Sequence, residues 1–113
     1  MNKRAVGTKN EELACEYLTN LGYKILERNF RCKVGEIDII AIDNNCLVFT
    51  EVKFRSTSKY GTSLEAVNPK KQQTIRKVAE YYLLTRYKSS NVFLRFDVIG
   101  IDGDSISLIK NAF

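Results

Sequence analysis

Three charged residues lie within two apolar stretches of the chain, and their types and spacing suit metal chemistry. Glu51 and Lys53 are two residues apart in VFTEVKF (48–54), and Asp38 lies in GEIDIIAID (35–43). Side chains alternate between the faces of a strand, so Glu51 and Lys53 are expected to point the same way. Carboxylate oxygens suit Mg²⁺ or Mn²⁺, and a neighbouring lysine can orient a water molecule or stabilise developing charge. These residue types fit metal-assisted hydrolysis of a phosphodiester bond.

The turn between the two stretches predicts which of these residues face one another. The Asn-Asn pair at 44–45 tolerates positive φ and suits a two-residue hairpin loop. Counting back from that loop places Asp38 opposite Glu51. The same count places Glu36 opposite Lys53. Facing residues have Cβ atoms about 5 Å apart, so two facing carboxylates repel each other. We expect either Lys53 or a divalent cation to lie between them.

The alternative interpretation is an ion network on a solvent-facing sheet, which is what most E-x-K patterns in strands are. Both faces of the first stretch are apolar, however, and a sheet covered on both sides seldom buries carboxylates without a partner. The side chains predicted on one face are Ile37, Ile39 and Ala41, and those predicted beside Asp38 on the other are Ile40 and Ile42.

A first helix is predicted from about Lys9 to Leu21, with Gly22 ending it. The residues of its predicted apolar stripe are Leu13, Ala14, Tyr17, Leu18 and Leu21. Glu11 borders this stripe, so it can lean toward the sheet. Taken alone, such a residue is more often a rim residue than a ligand. As a third carboxylate beside Asp38 and Glu51 it would complete a metal site.

A second helix is predicted from Pro69, after an N-cap at Asn68, to about Tyr87. Lys71 and Gln72 lie in its first turn, on the apolar face. Cations in a first turn oppose the helix dipole, but a bound phosphate would offset that cost. These two residues are therefore candidate nucleic-acid ligands. The alternative is an exposed basic turn, which we expect for Lys70.

A basic loop follows the E-x-K strand and contains Arg55, Lys59 and Tyr60. Such a loop could follow a nucleic-acid backbone or stack a base, although it could equally be a solvated connection. Farther along, Arg95 and Asp97 share a strand face and are expected to form a structural ion pair.

The composition restricts the class of protein. The 113 residues, of which 44% are apolar, suit a single globular domain over 1–113. The absence of histidine excludes Ser-His, Cys-His and His-ligated metal mechanisms. Three scattered cysteines indicate a reducing cytoplasm. Neither a secretory signal nor a membrane span is expected. The net charge of +5 is compatible with DNA or RNA as partner.

The predicted element order is α-β-β-β-α-β-β. One helix links two strands while hairpins link others, so the α/β sandwich must contain a mixed sheet. The five strands are predicted at 23–30, 35–43, 46–54, 92–101 and 105–110, with a loop at 31–35 after the first strand.

Motifs along nearly the whole chain resemble the YraN-like family of small bacterial proteins. They are GxxxExxA (7–14), YLTNLGYKILERNFR, GEIDIIA (35–41), VFTEVKFR, YG, EAV, KQ and RFDVI…IKNAF. That family is similar to the PD-(D/E)xK, or restriction-endonuclease-like, superfamily, whose members include archaeal Holliday-junction resolvases. Two positions depart from the pattern. Ile37 replaces the nominal proline before Asp38, and Asn10 replaces the usual glycine before Glu11.

The resemblance implies a three-layer α/β/α sandwich and a Mg²⁺- or Mn²⁺-dependent endonuclease acting on DNA, including branched DNA such as Holliday junctions. Asp38, Glu51 and Glu11 would be the metal ligands, and Lys53 would complete the catalytic set. Resolvase-like neighbours dimerise, so a homodimer is implied by analogy. The alternatives are a catalytically silent nucleic-acid-binding module that recruits a partner protein, and a structural protein in which these residues form only an ion network.

Overall fold

The computed structural model describes residues 3–55, 67–88, 92–103 and 105–113, with side chains described from Lys9 onward and not for Arg55. The elements are α1 (Lys3–Asn20), β1 (Lys24–Cys32), β2 (Gly35–Asp43), β3 (Cys46–Arg55), α2 (Pro69–Tyr82), β4 (Phe93–Asp102) and β5 (Ser105–Ile109). This order confirms the predicted sequence of helices and strands.

The five strands form one mixed sheet in the spatial order β1-β2-β3-β4-β5. β3 and β4 are parallel, whereas the other neighbouring strands are antiparallel. Parallel neighbours cannot be joined by a tight turn, so the chain must cross over the sheet between them. α2 lies in this crossover, which confirms the predicted mixed sheet.

The two helices cover opposite faces of the sheet and complete three layers. α1 packs through Ala14 and Leu18 on Ile39, Val48 and Ile99. The other core cluster contains the apolar face of α2 and the opposite sheet face, namely Phe30, Ile37, Ile40, Leu47, Phe49, Ile75, Val78, Ala79, Tyr82 and Phe96. Burial of both sheet faces explains why β2 and β3 are almost continuously apolar.

The ends of α1 differ in how well the sequence predicted them. Gly22 ends the helix with φ of 97°, and the N–H of Tyr23 donates to the carbonyl of Leu18 at 3.0 Å, as in a Schellman motif. The helix begins at Lys3, however, rather than near Lys9. Leu13 and Leu21 are exposed rather than buried. Leu21 follows the last helical residue, so helical periodicity no longer places it on the stripe.

Two other boundaries also differ from the prediction. β1 continues through Arg31 and Cys32, which were expected in a loop, because these residues pair with Glu36 and Gly35 across a tight turn. The helical stretch of α2 reaches Tyr87 as predicted, but only the part up to Tyr82 is α-helical. Its last part, Leu83–Tyr87, is a π-helical turn, ended by Lys88 in the left-handed region. No helix in the described part of the chain is long and apolar enough to cross a membrane.

Candidate metal and phosphate site

The hairpin of β2 and β3 has the predicted two-residue loop. Asn44 has φ of 57°, and Asp43 pairs with Cys46. The antiparallel pairing continues to Ile39 with Thr50, next to Asp38 and Glu51. Asp38 and Glu51 are therefore the next residues along the two strands, just beyond the last pair of the hairpin, Ile39 with Thr50.

Asp38 is held by the backbone of the neighbouring strand. Its Oδ2 accepts a hydrogen bond of 2.8 Å from the N–H of Val52. Strict alternation fails at this point, since Ile37 belongs to the core cluster of α2 while Ile39 packs under α1. The prediction that Ile37 shares a face with Ile39 is therefore wrong. The irregular backbone turns the carboxylate of Asp38 toward β3. There the carboxylate accepts a hydrogen bond from the N–H of Val52, which in a continued ladder would donate to a backbone carbonyl of β2.

Glu51 is buried and lies between two lysines. Its side chain is 8% exposed. Its Oε1 is 3.9 Å from Nζ of Lys53 and 3.8 Å from Nζ of Lys71. Lys53 comes from the same strand, whereas Lys71 comes from the first turn of α2. Both distances exceed that of a hydrogen bond, so the contacts are electrostatic and leave room for adjustment.

Burial and repulsion from neighbouring carboxylates make Asp38 and Glu51 reluctant to ionise. Burial and then the neighbouring charge of Asp38 raise the pKa of Glu51 to about 7, against the opposing effect of Lys71 and Lys53. Burial likewise raises the pKa of Asp38 to about 6, although the hydrogen bond from Val52 opposes the rise. A binding partner with two positive charges would relieve this repulsion.

Gly35 sets the position of α2 relative to the two acids. A Cβ atom at Gly35 would lie 2.7 Å from Cγ2 of Thr74 and 3.5 Å from Cγ2 of Val78. Lys71, Thr74 and Val78 share one face of α2 because they are separated by three and four residues. The close approach at Gly35 therefore holds Lys71 near Glu51.

The N-terminus of α2 has the predicted cap. Oδ1 of Asn68 accepts the N–H of Lys71 at 2.8 Å, and Pro69 is the first helical residue. The N–H of Gln72 donates to the carbonyl of Asn68, and its side-chain amide donates to the carbonyl of Val67 at 3.1 Å. Lys71 therefore lies beside Glu51, whereas the side chain of Gln72 stabilises the N-terminal cap of α2.

The other predicted site residues are Glu11 of α1 and the basic loop residues Arg55, Lys59 and Tyr60. Glu11 is half-buried, and its charge contributes to the raised pKa of Asp38. Among the described residues, no three acidic or cysteine side chains lie close enough to hold a metal ion, so Glu11 as third ligand stays a prediction. Lys59 and Tyr60 lie outside the described residues, and Arg55 is described only as the last residue of β3.

The sequence predicted neither the backbone donor at Asp38 nor the effect of Glu36 on the two acids, although it placed Glu36 opposite Lys53. The N–H of Val52 fixes Asp38, and no sequence signal marks a backbone donor of this kind. Glu36 raises the pKa of both acids, but it forms a 2.8 Å ion pair with Arg31. The sequence contained a signal for this pair, since Arg31 and Glu36 face each other if β1 extends through Cys32.

The predicted pair of Arg95 and Asp97 is confirmed and belongs to a separate network. Arg95 donates to both carboxylate oxygens of Asp97 at 2.8 and 2.9 Å, and it contacts Asp43 at 2.9 Å. Tyr23 accepts from the same guanidinium at 2.6 Å, and the N–H of Asn111 donates to Asp97 at 2.9 Å. The network is structural, because it joins β4 to the hairpin, to Tyr23 just before β1 and to the C-terminal residues.

The sequence of the chain matches a known protein family. The family described as "Uncharacterised protein family UPF0102" matches residues 10–101, which is most of the chain. The chain belongs to this family. UPF0102 lies in the restriction-endonuclease-like superfamily, which confirms the resemblance inferred from the motifs.

Individual UPF0102 proteins are similar over their full length. A UPF0102 protein of Caldicellulosiruptor saccharolyticus is 48% identical over 119 residues, covering 100% of both chains. One of Desulforamulus reducens is 49% identical, covering 99% of this chain and 98% of its own. One of Clostridium botulinum is 48% identical, covering 96% and 93%. These names state no activity, so the function of this UPF0102 chain has to be inferred from its site.

Proposed function

We propose that this protein is a metal-dependent endonuclease that hydrolyses phosphodiester bonds of DNA. The observation that carries the proposal is the placement of Asp38 and Glu51 at the end of the hairpin, where burial raises the pKa of both and the charge of Asp38 adds to the rise at Glu51. An arrangement that costs stability in this way is typical of a functional site. The two lysines at Glu51 are the basic groups that phosphate chemistry requires.

The two carboxylates fit a hard divalent cation. Mg²⁺ keeps several of its waters and is commonly bound through one or two carboxylates together with substrate phosphates. Asp38 and Glu51 are sufficient for that mode of binding without a third acid. Glu11, whose charge already acts on Asp38, would be the additional ligand if α1 moves closer. When bound, Mg²⁺ or Mn²⁺ would supply charge neutralisation at the phosphate and a water of lowered pKa.

The protein's own residues then have separate roles. Asp38 and Glu51 would hold the cation. The N–H of Val52 keeps one oxygen of Asp38 in a fixed direction, which leaves Oδ1 to act as the ligand. Lys53, whose side chain is 27% exposed, lies at the rim of the site and can hydrogen-bond the attacking water or a phosphate oxygen. Its position two residues from Glu51 on the same strand fixes its distance from the cation site.

A polyanionic substrate is supported by the charge of the protein. The net charge is +5, and Lys53 and Lys71 lie beside the acids rather than away from them. Arg55, Lys59, Tyr60 and Gln72 remain predicted contacts to the nucleic acid. The preference for branched DNA and the homodimer rest on the resemblance to resolvases, and we retain both as part of the proposal.

The experiment that tests the proposal is incubation of the purified protein with linear, nicked and four-way-junction DNA in Mg²⁺ or Mn²⁺. We expect metal-dependent cleavage by the wild type, strongest on the junction, and its loss in Glu51→Gln and Lys53→Ala. Glu80→Gln, which changes an exposed acid of α2, is the matched control and should cleave like the wild type.

The other two functional hypotheses give different outcomes in the same experiment. Salt-dependent DNA binding without cleavage would indicate the nucleic-acid-binding module that recruits a partner protein. Neither binding nor cleavage would indicate the structural ion network. If the wild type cuts none of the substrates more than Glu51→Gln does, the proposed activity is refuted.

A further inference from the structure

Lys71 forms a weaker contact with Glu51 than Arg95 forms with the buried Asp97. Its Nζ lies 3.8 Å from Oε1 of Glu51, whereas Arg95 donates two hydrogen bonds of 2.8 and 2.9 Å to Asp97. A contact at 3.8 Å gains Coulomb energy without a hydrogen bond, so it is more easily exchanged for another partner.

The side chain of Lys71 can move away from Glu51 into solvent. It is 36% exposed, so its ammonium group can leave Glu51 for solvent without crossing the core. The backbone of α2 stays in place during such a change, because Gly35 lies tightly against Thr74 and Asn68 caps the helix. Only the flexible four-carbon side chain would have to move.

Lys71 and a divalent cation would compete for the same carboxylate. Oε1 of Glu51 already has two ammonium groups within 4 Å, and a cation bound to Glu51 and Asp38 would be repelled by both. Lys53 is anchored on the same strand as Glu51. Lys71 reaches the acid from a separate element and is the more exposed of the two, so it is the lysine that can withdraw.

We propose that Lys71 is an exchangeable counter-ion: it neutralises Glu51 before a divalent cation binds and gives up that carboxylate when the cation enters. This inference rests on the proposed function, since it concerns the same site. It assigns Lys71 a role distinct from that of Lys53, and it makes the affinity for the metal depend on a helix that provides no ligand. Lys71 is in this sense a positioning residue for Glu51 rather than a catalytic residue.

The first test is calorimetric titration of Mn²⁺ into the wild type, Lys71→Gln and Lys70→Gln at pH 8. Lys70 neighbours Lys71 and is exposed, so Lys70→Gln controls for the loss of one positive charge. Removal of the competing ammonium group should make Lys71→Gln bind Mn²⁺ about tenfold more tightly than the wild type. Lys70→Gln should bind like the wild type. Equal or weaker binding by Lys71→Gln overturns the inference.

The second test uses urea unfolding without added metal, in a double-mutant cycle of Lys71→Gln with Glu51→Gln. We expect Lys71→Gln to lower the urea midpoint when Glu51 is present and to leave it unchanged in the Glu51→Gln background. If Lys71→Gln lowers the urea midpoint equally in both backgrounds, Lys71 is not the counter-ion of Glu51, whether or not a metal ion binds.

The two tests separate this inference from the proposed function. If the wild type binds Mn²⁺ and Lys71→Gln binds it no more tightly, only the exchange is wrong. If no variant binds Mn²⁺ while the cycle shows coupling, the proposed metal site fails and Lys71 is a permanent ion-pair partner, which also refutes the exchange.

Discussion

The carboxylate of Asp38 accepts a 2.8 Å hydrogen bond from the backbone N–H of Val52, so an acid side chain occupies the place of a strand partner. The bond prevents Asp38 from turning away from its neighbour Glu51, although the two repel each other. The hairpin therefore keeps two acids together at a cost in stability, and that cost can be measured.

The first prediction is that stability falls as pH rises toward neutrality. The pKa is about 6 for Asp38 and about 7 for Glu51 in the folded protein. In the unfolded chain both acids titrate near pH 4. Below that pH both states hold the protons and the stabilising contribution is complete. As the pH rises, the unfolded state loses its protons first, so the free energy of unfolding decreases until the folded groups have ionised too.

Urea unfolding at pH 5 and pH 8 checks this prediction. The wild type should lose on the order of 3 kcal/mol more than Glu51→Gln between the two pH values. Glu80→Gln changes an exposed acid and should behave like the wild type. Parallel losses in the wild type and Glu51→Gln would mean that Glu51 ionises as freely in the folded protein as in the unfolded chain.

The second prediction concerns the contact between β2 and α2. Gly35→Ala should destabilise the protein by about 1–3 kcal/mol, because the added methyl group meets Cγ2 of Thr74 at 2.7 Å. Thr74→Ser removes that methyl group and should restore most of the loss in the double variant, while its hydroxyl still donates to Lys70. Thermal unfolding of the four proteins measures the coupling.

Gly22→Ala is the matched control for the second prediction. Gly22 has φ of 97°, and no atom would lie within 4 Å of a Cβ added there, so alanine is strained by its backbone alone. Thr74→Ser should not relieve that strain. If Thr74→Ser rescues both alanine variants equally, or neither, the close approach at Gly35 is not what limits α2.

The third prediction is that Thr50→Val stabilises the protein. Thr50 is fully buried, and its hydroxyl has no hydrogen-bond partner among the described residues. Valine has nearly the same shape without the polar atom, so we expect a gain of about 1 kcal/mol in urea unfolding. Thr85→Val, which removes an exposed hydroxyl bonded to the carbonyl of Tyr81, should give no gain. A loss in Thr50→Val would reveal a partner such as a bound water.

The fourth prediction concerns the network around Asp97. This carboxylate is fully buried, and Arg95 is its main counter-ion. Arg95→Ala should cost about 3–5 kcal/mol, since it leaves a buried charge unpaired. Lys110→Ala removes a more exposed lysine 3.8 Å from Asp43 and should cost less than about 1 kcal/mol. Similar losses in the two variants, measured by urea unfolding, would contradict the structural role of Arg95.

The sequence predicted the parts of the fold and site that depend on local patterns. Asn44 and Asn45 marked the loop, and counting from it predicted the paired register as far as Ile39 with Thr50, one step before the predicted pair of Asp38 and Glu51. The period of two in β3 placed Lys53 on the same face as Glu51, and Asn68 with Pro69 marked the start of α2.

The parts that the sequence did not predict depend on contacts between elements. The N–H of Val52 bonds Asp38 only because the strand alternation fails there, and no residue type marks such a break. The length of β1 depends on its pairing with Glu36 rather than on its own alternation. The contact of Lys71 with Glu51 depends on how closely α2 approaches Gly35, which a single sequence does not reveal.

The most direct test of the central claim is anomalous diffraction from a crystal of the protein soaked in Mn²⁺. The account predicts an anomalous peak between the carboxylates of Asp38 and Glu51, at about 2.1–2.2 Å from their nearest oxygens, with waters completing the coordination. The same soak of Glu51→Gln should show the peak weakened or lost. A wild-type crystal that binds Mn²⁺ only elsewhere, or not at all, would contradict the account.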